Sequence, residues 1–181
     1  MATYERASED VKEMANGILF EFASHEPLIK AGVTIDFLFA SPNYDEQTGE
    51  PIGDAIMLHG QKALGVCRKI QLKDRAKGMA DAEITLDKPW WDEASPEERR
   101  ALLDHELHHI AIKIDKRGLV KDDLGRPVIQ LRKHDVQIGW FKDVAARHGD
   151  SSVERRQARQ IMLDHGQYFW PEIARRKQQQ T

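Results

Sequence analysis

Five consecutive residues, His105-Glu106-Leu107-His108-His109, contain the spacing H-E-x-x-H. On a helix, side chains four positions apart lie on one face about one turn apart, so His105 and His109 could coordinate one ion. Imidazole nitrogens are good zinc ligands, and two of them leave room for a third protein ligand and a water molecule. The pattern therefore predicts a zinc site here.

Glu106 is expected to lie beside the ligand pair, about 100° around the helix from His105. From there its carboxylate could take a proton from a water held by the metal without being a ligand itself. Zinc lowers the pKa of such a water from ~15.7 to about 7, which makes hydroxide available near neutral pH. The pattern thus predicts a peptide-hydrolysing site with Glu106 as catalytic base, and the alternative is a polar helix face with solvated histidines.

A third metal ligand must come from elsewhere in the chain. Asp115 lies six residues after His109, where the compact pattern H-E-x-x-H-x-x-G-x-x-H places its last ligand. That pattern has a glycine three residues after the second histidine, but Ile112 stands there and is expected to extend the helix and turn Asp115 away. The order of preference is His134, which opens the next helix, then Asp115, then His165 or Asp164.

The helix that carries this pattern has the clearest signals in the chain. Ser95-Pro96-Glu97-Glu98 supplies an N-cap serine, a proline at the first helical position and a glutamate at the third, which is a capping box. Leu103, Leu107 and Ile110 then form an apolar stripe that should face a core. The helix is predicted to run to about Ile114.

The remaining elements alternate between helix and strand patterns. Two or three strands are predicted before the H-E-x-x-H helix, of which the second and third alternate with period two and should be half-exposed. The predicted elements are a helix at 7–23, strands at 33–39, 64–72 and 82–86, a hairpin at 118–133 with a strand at 128–131, and helices at 135–149 and 151–166. This order indicates an α+β fold.

Length and composition fit one soluble domain. The chain has 181 residues and 40% hydrophobic residues, with no apolar run long enough to span a membrane. We expect a single domain over residues 1–170 and a flexible tail over residues 171–181. Cys67 is the only cysteine, so an intramolecular disulfide is impossible; the thiol is expected to be a small buried hydrophobe, and the protein to be cytoplasmic.

Charge argues against a nucleic-acid partner. The net charge is −3, although residues 1–60 carry 11 acidic and 3 basic side chains and the rest of the chain is net positive. The densest basic stretch, residues 68–77, is best interpreted as a solvated edge, with nucleic-acid binding as the minority interpretation.

Two segments resemble a known family. Residues 103–109, which contain the H-E-x-x-H pattern, and residues 132–136, which include His134, resemble the metallopeptidase domain found in phages and prophages and, more distantly, the SprT-like zincin proteases. The resemblance covers about residues 15–150. It implies a zincin-like α+β domain, in which a small mixed sheet of three to four strands packs on the H-E-x-x-H helix.

The resemblance also implies a mechanism and a substrate. Zinc would be held by His105, His109 and His134, with Glu106 as general base, and an extended peptide would pair with the strand at 82–86. Candidates to stabilise the oxyanion are Tyr168, His165 and Arg132, and Asp104 and Asp135 could orient an imidazole. The competing hypothesis is a metal-binding interaction module of phage origin, without hydrolysis, that docks on a host protein as an adaptor or inhibitor.

Overall fold

The structure, a computed structural model, describes residues 2–58, 60–133, 146–151 and 153–164. The chain divides into two units, residues 1–133 and residues 134–181. The single domain over residues 1–170 stays a prediction, and the tail at 171–181 lies outside the described residues. No helix in the described ranges combines the length and the apolar character that crossing a bilayer requires.

A four-stranded mixed sheet organises the first unit. The strands are β1 (Thr3–Arg6), β2 (Ile35–Ser41), β7 (Gly65–Lys69) and β8 (Ala82–Asp87). Their order in the sheet is β1-β2-β8-β7, in which β2 and β8 are parallel and the other two pairs are antiparallel. The α+β class and the small mixed sheet are therefore confirmed, and β1 is a strand that the sequence patterns did not indicate.

Strand β8 lies at the centre of the sheet and is buried along its whole length. The sequence alternation had predicted a half-exposed strand, and this prediction is wrong because the polar side chains are buried too. Glu83 forms an ion pair with Arg68 at 2.5 Å, and Asp87 accepts a hydrogen bond from the backbone N–H of Trp90 at 2.9 Å. Burial of these carboxylates is possible because each has a polar partner.

The central place of β8 also corrects the expected substrate strand. Residues 82–86 hydrogen-bond to β2 on one side and to β7 on the other, so their backbone has no edge left for a peptide. The two edges of this sheet are β1 and β7. Strand β7 is the edge that adjoins the H-E-x-x-H helix, because Gly65 lies against Glu106.

Helices α1 (Glu9–Glu21) and α5 (Pro96–His108) cover one face of the sheet. The first was predicted at 7–23 and is confirmed with slightly shorter ends. Both helices direct apolar stripes into the same core. Its fully buried residues include Val11 and Ile18 of α1, Leu103 and Leu107 of α5, and Ile84 of β8. Shorter helices are α2 (Glu26–Ala31), α3 (Leu72–Arg75) and α4 (Lys88–Glu93).

The ends of α5 differ in how well the sequence predicted them. The capping box is confirmed: Ser95 N–H donates to Glu98 Oε2 at 2.8 Å, and Glu98 N–H donates to Ser95 Oγ at 3.3 Å. The predicted extension to Ile114 is wrong, since the helix ends at His108 and residues 110–112 form a strand. The β-branched residues Ile110 and Ile112 pair there with a strand that follows later in the chain.

The strand that pairs with residues 110–112 brings a later part of the chain back to the end of α5. Strand β9 (Ile110–Ile112) is antiparallel to β12 (Ile129–Leu131), and between them lie β10 (Ile114–Asp115) and β11 (Gly118–Leu119). The predicted strand at 128–131 is thus confirmed, but its partner is β9.

Buried ion pairs link the segment between β11 and β12 to the segment between β7 and β8. Asp81, which is fully buried, bonds to Arg75 and lies 2.8 Å from Arg126, and Arg75 also pairs with Asp122 at 2.6 Å. These charges come from three separate segments, so together they fix the turn that precedes β12. The position of β12 in turn decides where the backbone of Arg132 meets α5.

The other described elements are small. Two hairpins connect β2 to β7, one of β3 (Asn43–Tyr44) and β4 (Pro51–Ile52), the other of β5 (Met57–Leu58) and β6 (Gln61–Lys62). In the second unit, helix α6 (Val153–Asp164) confirms the helix predicted at 151–166. The helix predicted at 135–149 falls mostly outside the described residues.

Candidate metal centre

The C-terminal end of α5 brings together three residues of the H-E-x-x-H pattern, with His109 as the C-cap residue. His105, Glu106 and His109 each offer one ligand atom, and these atoms all lie within 4.8 Å of one another. The two imidazole rings meet edge to face, with their centroids 5.1 Å apart. The i, i+4 spacing produces this arrangement because it places the two side chains on one face about one turn apart.

The backbone of Arg132 sets the orientation of His109. His109 Nδ1 lies 2.9 Å from the carbonyl oxygen of Arg132, and Arg132 N–H donates to the carbonyl oxygen of His109 at 2.7 Å. A carbonyl can only accept, so Nδ1 must carry the proton and the basic nitrogen of a neutral ring is Nε2. Metal-binding histidines are commonly oriented in this way. The sequence had suggested Arg132 only for its side chain.

Glu106 is buried between α5 and the edge strand β7. Only 4% of its surface is exposed. The backbone N–H of Cys67 donates a hydrogen bond to the Glu106 carboxylate, whereas Oε2 is buried without a hydrogen-bond partner in the described part of the chain. Burial raises the pKa of Glu106 to about 7, although the charge of His109 and the Cys67 N–H both act to lower it.

Gly65 makes room for that carboxylate. A Cβ atom at residue 65 would lie 2.7 Å from Glu106 Oε1 and 3.0 Å from its Cδ, well inside contact distance. The backbone of Gly65 does not have positive φ, so the glycine is needed here for space and not for conformation. The sequence alone offered no sign of this contact, since the two residues are far apart in the chain.

These residues fit a divalent cation. Buried polar atoms in proteins nearly always have a partner, and the described residues provide none for Glu106 Oε2. Two imidazoles beside it are ligands typical of zinc and similar metals. The arrangement could therefore hold an ion between the histidines, with a carboxylate in position to exchange a proton with a water.

Burial of Glu106 has a consequence for the metal-free chain. Because the pKa is raised from 4.5 to about 7 on folding, ionisation opposes folding, and the free energy of unfolding should fall as pH rises through this range. Glu106→Gln removes the effect. We expect the free energy of unfolding of the variant to rise by about 3 kcal/mol relative to that of wild type as pH goes from about 4.5 to about 8. The measurement is urea unfolding in the presence of a chelator. If the free energy of unfolding depends on pH in the same way in both proteins, this prediction is contradicted.

Cys67 contributes its backbone to the site and keeps its thiol in the core. Burial raises the pKa of Cys67 to about 12, and the charge of Glu106 acts in the same direction. The thiol is thus protonated at neutral pH, and it belongs to none of the ligand groups among the described residues. The prediction of a small buried hydrophobe is confirmed.

The candidates for a third ligand have different outcomes. Asp115 lies on β10, exposed, and accepts a hydrogen bond from Arg117 N–H at 2.7 Å. It belongs to none of the ligand groups found among the described residues. His134 lies outside the described residues, as do Asp135, His165 and Tyr168, and the side chain of Asp164 is not described either.

A second group of potential metal ligands has two of its three members on the same helix. His25, Asp104 and His108 also offer ligand atoms within 4.8 Å of one another. The contact between His25 and Asp104 spans 79 positions, so the sequence gives no sign of it. The i, i+4 spacing of Asp104 and His108 was the available signal.

Comparison with known proteins gives one match. No curated protein and no solved structure matches the chain. A family model described as "Putative phage metallopeptidase" matches residues 2–164, which include the whole H-E-x-x-H helix. The family name implies a metal cofactor and protein or peptide substrates, in agreement with the ligand groups above. The chain belongs to this phage metallopeptidase family.

Proposed function

We propose that the protein is a zinc-dependent peptidase with Glu106 as its general base. The observation that carries the proposal is the environment of Glu106. It is a buried carboxylate with a raised pKa and one oxygen without a partner among the described residues, beside two imidazoles about one helical turn apart. A carboxylate held at a fixed place beside the ligand pair can take a proton from a water that the ion would hold there.

His105 and His109 would hold the ion, with His134 as the third ligand. Zinc is favoured over magnesium or calcium because imidazole nitrogens, not oxygens, supply the first two positions. When bound, the cation supplies Lewis acidity, which makes water easier to deprotonate and polarises the peptide carbonyl. The bond from His109 Nδ1 to the carbonyl of Arg132 keeps the ring oriented and Nε2 basic.

Glu106 would move the proton. Its Oε2 accepts a proton from the attacking water, while the Cys67 N–H holds the carboxylate in place at the edge of β7. The protonated acid then gives the proton to the amine nitrogen of the broken peptide bond. Burial raises the pKa of Glu106 in the metal-free chain, and a cation held by the two imidazoles would act to lower it again.

An extended substrate would pair with β7 instead of β8. Asp87 N–H donates to the carbonyl of Leu64 and Ile70 N–H donates to the carbonyl of Asp81, so alternate residues of β7 bond to β8. The backbone groups of Gly65, Cys67 and Lys69 therefore point away from β8. The Cys67 N–H among them already bonds to Glu106, so a peptide would pair with the other backbone groups of this edge. A peptide added at this edge would pass directly by Glu106.

The test is cleavage of a mixed peptide library by the purified chain. We expect zinc-loaded protein to cleave peptides, chelation to stop cleavage, and added Zn²⁺ to restore it. Mass spectrometry of the products reports both activity and site preference. Zinc binding without cleavage of any peptide would instead support a non-catalytic metal-binding module, and no zinc binding at all would contradict both.

A further inference from the structure

His25, Asp104 and His108 form a compact cluster next to the proposed catalytic centre but share no residue with it. His25 lies in the 3-10 turn Ala23–His25 before α2, and the other two lie one turn apart on α5. Asp104 Oδ1 is 2.7 Å from His25 Nε2 and 3.1 Å from His108 Nδ1. The two imidazole rings meet edge to face with centroids 4.4 Å apart.

This geometry is close to that of a metal site. An ion with bonds of about 2.0–2.1 Å in tetrahedral geometry holds its ligand atoms about 3.3 Å apart. The distance between Asp104 and His108 is nearly that, and the distance between His25 and Asp104 would have to open by about 0.6 Å. His108 Nδ1 also lies 2.8 Å from the carbonyl oxygen of Asp104, a contact that metal binding through Nδ1 would replace.

Burial gives the cluster a closed side and an open side. The side chain of His25 is 2% exposed, whereas those of Asp104 and His108 are 32% and 43% exposed. Protein therefore encloses one ligand, and solvent can reach the other two and supply water as a fourth ligand. Two imidazoles with one carboxylate suit Zn²⁺ and neighbouring transition metals, and do not suit Mg²⁺ or Ca²⁺.

We propose that His25, Asp104 and His108 bind a second transition-metal ion, such as Zn²⁺. Because the ligands come from segments 79 positions apart, the ion would cross-link the turn before α2 to the last part of α5. Its role is structural: it holds the helix that carries His105 and His109 against the N-terminal helices. The proposal does not depend on the chain being a peptidase.

The test is a zinc count for the purified full chain after dialysis against Zn²⁺ and then against metal-free buffer. We expect two ions per chain in wild type and one in His108→Ala and in Asp104→Asn. Both positions are partly exposed, so folding should survive, and circular dichroism checks this. His25→Ala is avoided because its core position makes misfolding a risk. His148→Ala is the matched control, since this exposed histidine belongs to no ligand group of the described residues.

Variants of the first site separate this proposal from the proposed function. His105→Ala should remove one ion and leave the second, and the double variant His105→Ala/His108→Ala should bind none. An unchanged zinc count in His108→Ala and Asp104→Asn would overturn the second site and show a hydrogen-bonded cluster only. If His108→Ala loses one ion and His105→Ala loses none, the second site stands and the proposed catalytic centre fails.

Discussion

Replacing Glu106 by glutamine is expected to lower kcat/KM for peptide cleavage by about 10²- to 10⁴-fold, the range that a general base contributes. Glutamine has nearly the same shape, and its carbonyl oxygen can still accept the Cys67 N–H. It cannot accept a proton from water at neutral pH. Zinc content should remain unchanged because Glu106 is proposed as a base and not as a ligand.

Glu97→Gln is the control for this variant. Glu97 lies exposed in the first turn of the same helix, so its substitution removes the same charge from α5 without touching the site. We expect its kcat/KM to match wild type within about twofold, because salt screens the charge of an exposed side chain at the opposite end of the helix. Initial rates on one cleaved peptide and elemental analysis of each protein decide the outcome. Glu106→Gln with wild-type rates would exclude Glu106 as the base.

The start of α5 could be predicted because its signals are local. Ser95 and Glu98 are three residues apart and satisfy each other's backbone groups, so no distant residue is needed to define the helix start. The grouping of His105, Glu106 and His109 follows in the same way from one helical turn. Local spacing thus gave the centre of the candidate site as well as the helix.

The end of α5 could not be predicted because it depends on a distant partner. Residues 110–112 continue an apolar pattern that fits either helix or strand, and pairing with residues 129–131 decides for strand. Burial of Glu83 in β8 has the same kind of cause, since its partner Arg68 lies on the neighbouring strand. Period-two alternation identified β8 as a strand but could not tell a covered face from an exposed one.

Long-range contacts also explain which parts of the site were missed. The partner of His109 is a backbone carbonyl 23 positions away, and any residue could supply it. Nothing in the sequence marks Arg132 for this role. Gly65 is similar, because a glycine in a strand pattern gives no indication of which side chain approaches it.

Gly65→Ala is the second substitution for which we expect a large effect, a fall in kcat/KM of about 10²-fold. The added methyl group would overlap Glu106 Oε1, so the carboxylate must turn away from the edge of β7. A displacement of about 1 Å in a catalytic group can cost this much. Stability should also fall, because the buried Glu106 would lose the Cys67 N–H when it moves, although alanine tolerates the strand conformation of residue 65.

A double-mutant cycle can show whether Gly65 acts through Glu106. If it only positions the carboxylate, Gly65→Ala should cost nothing further in the Glu106→Gln background, so the two effects should be far from additive. Gly17→Ala is the matched control: a Cβ at this position on α1 meets no atom within 4 Å, and kcat/KM should be unchanged. Additive losses, or full activity in Gly65→Ala, would mean that Glu106 does not work from its place beside β7. Zinc content of each variant, measured in parallel, separates a displaced base from a lost ion.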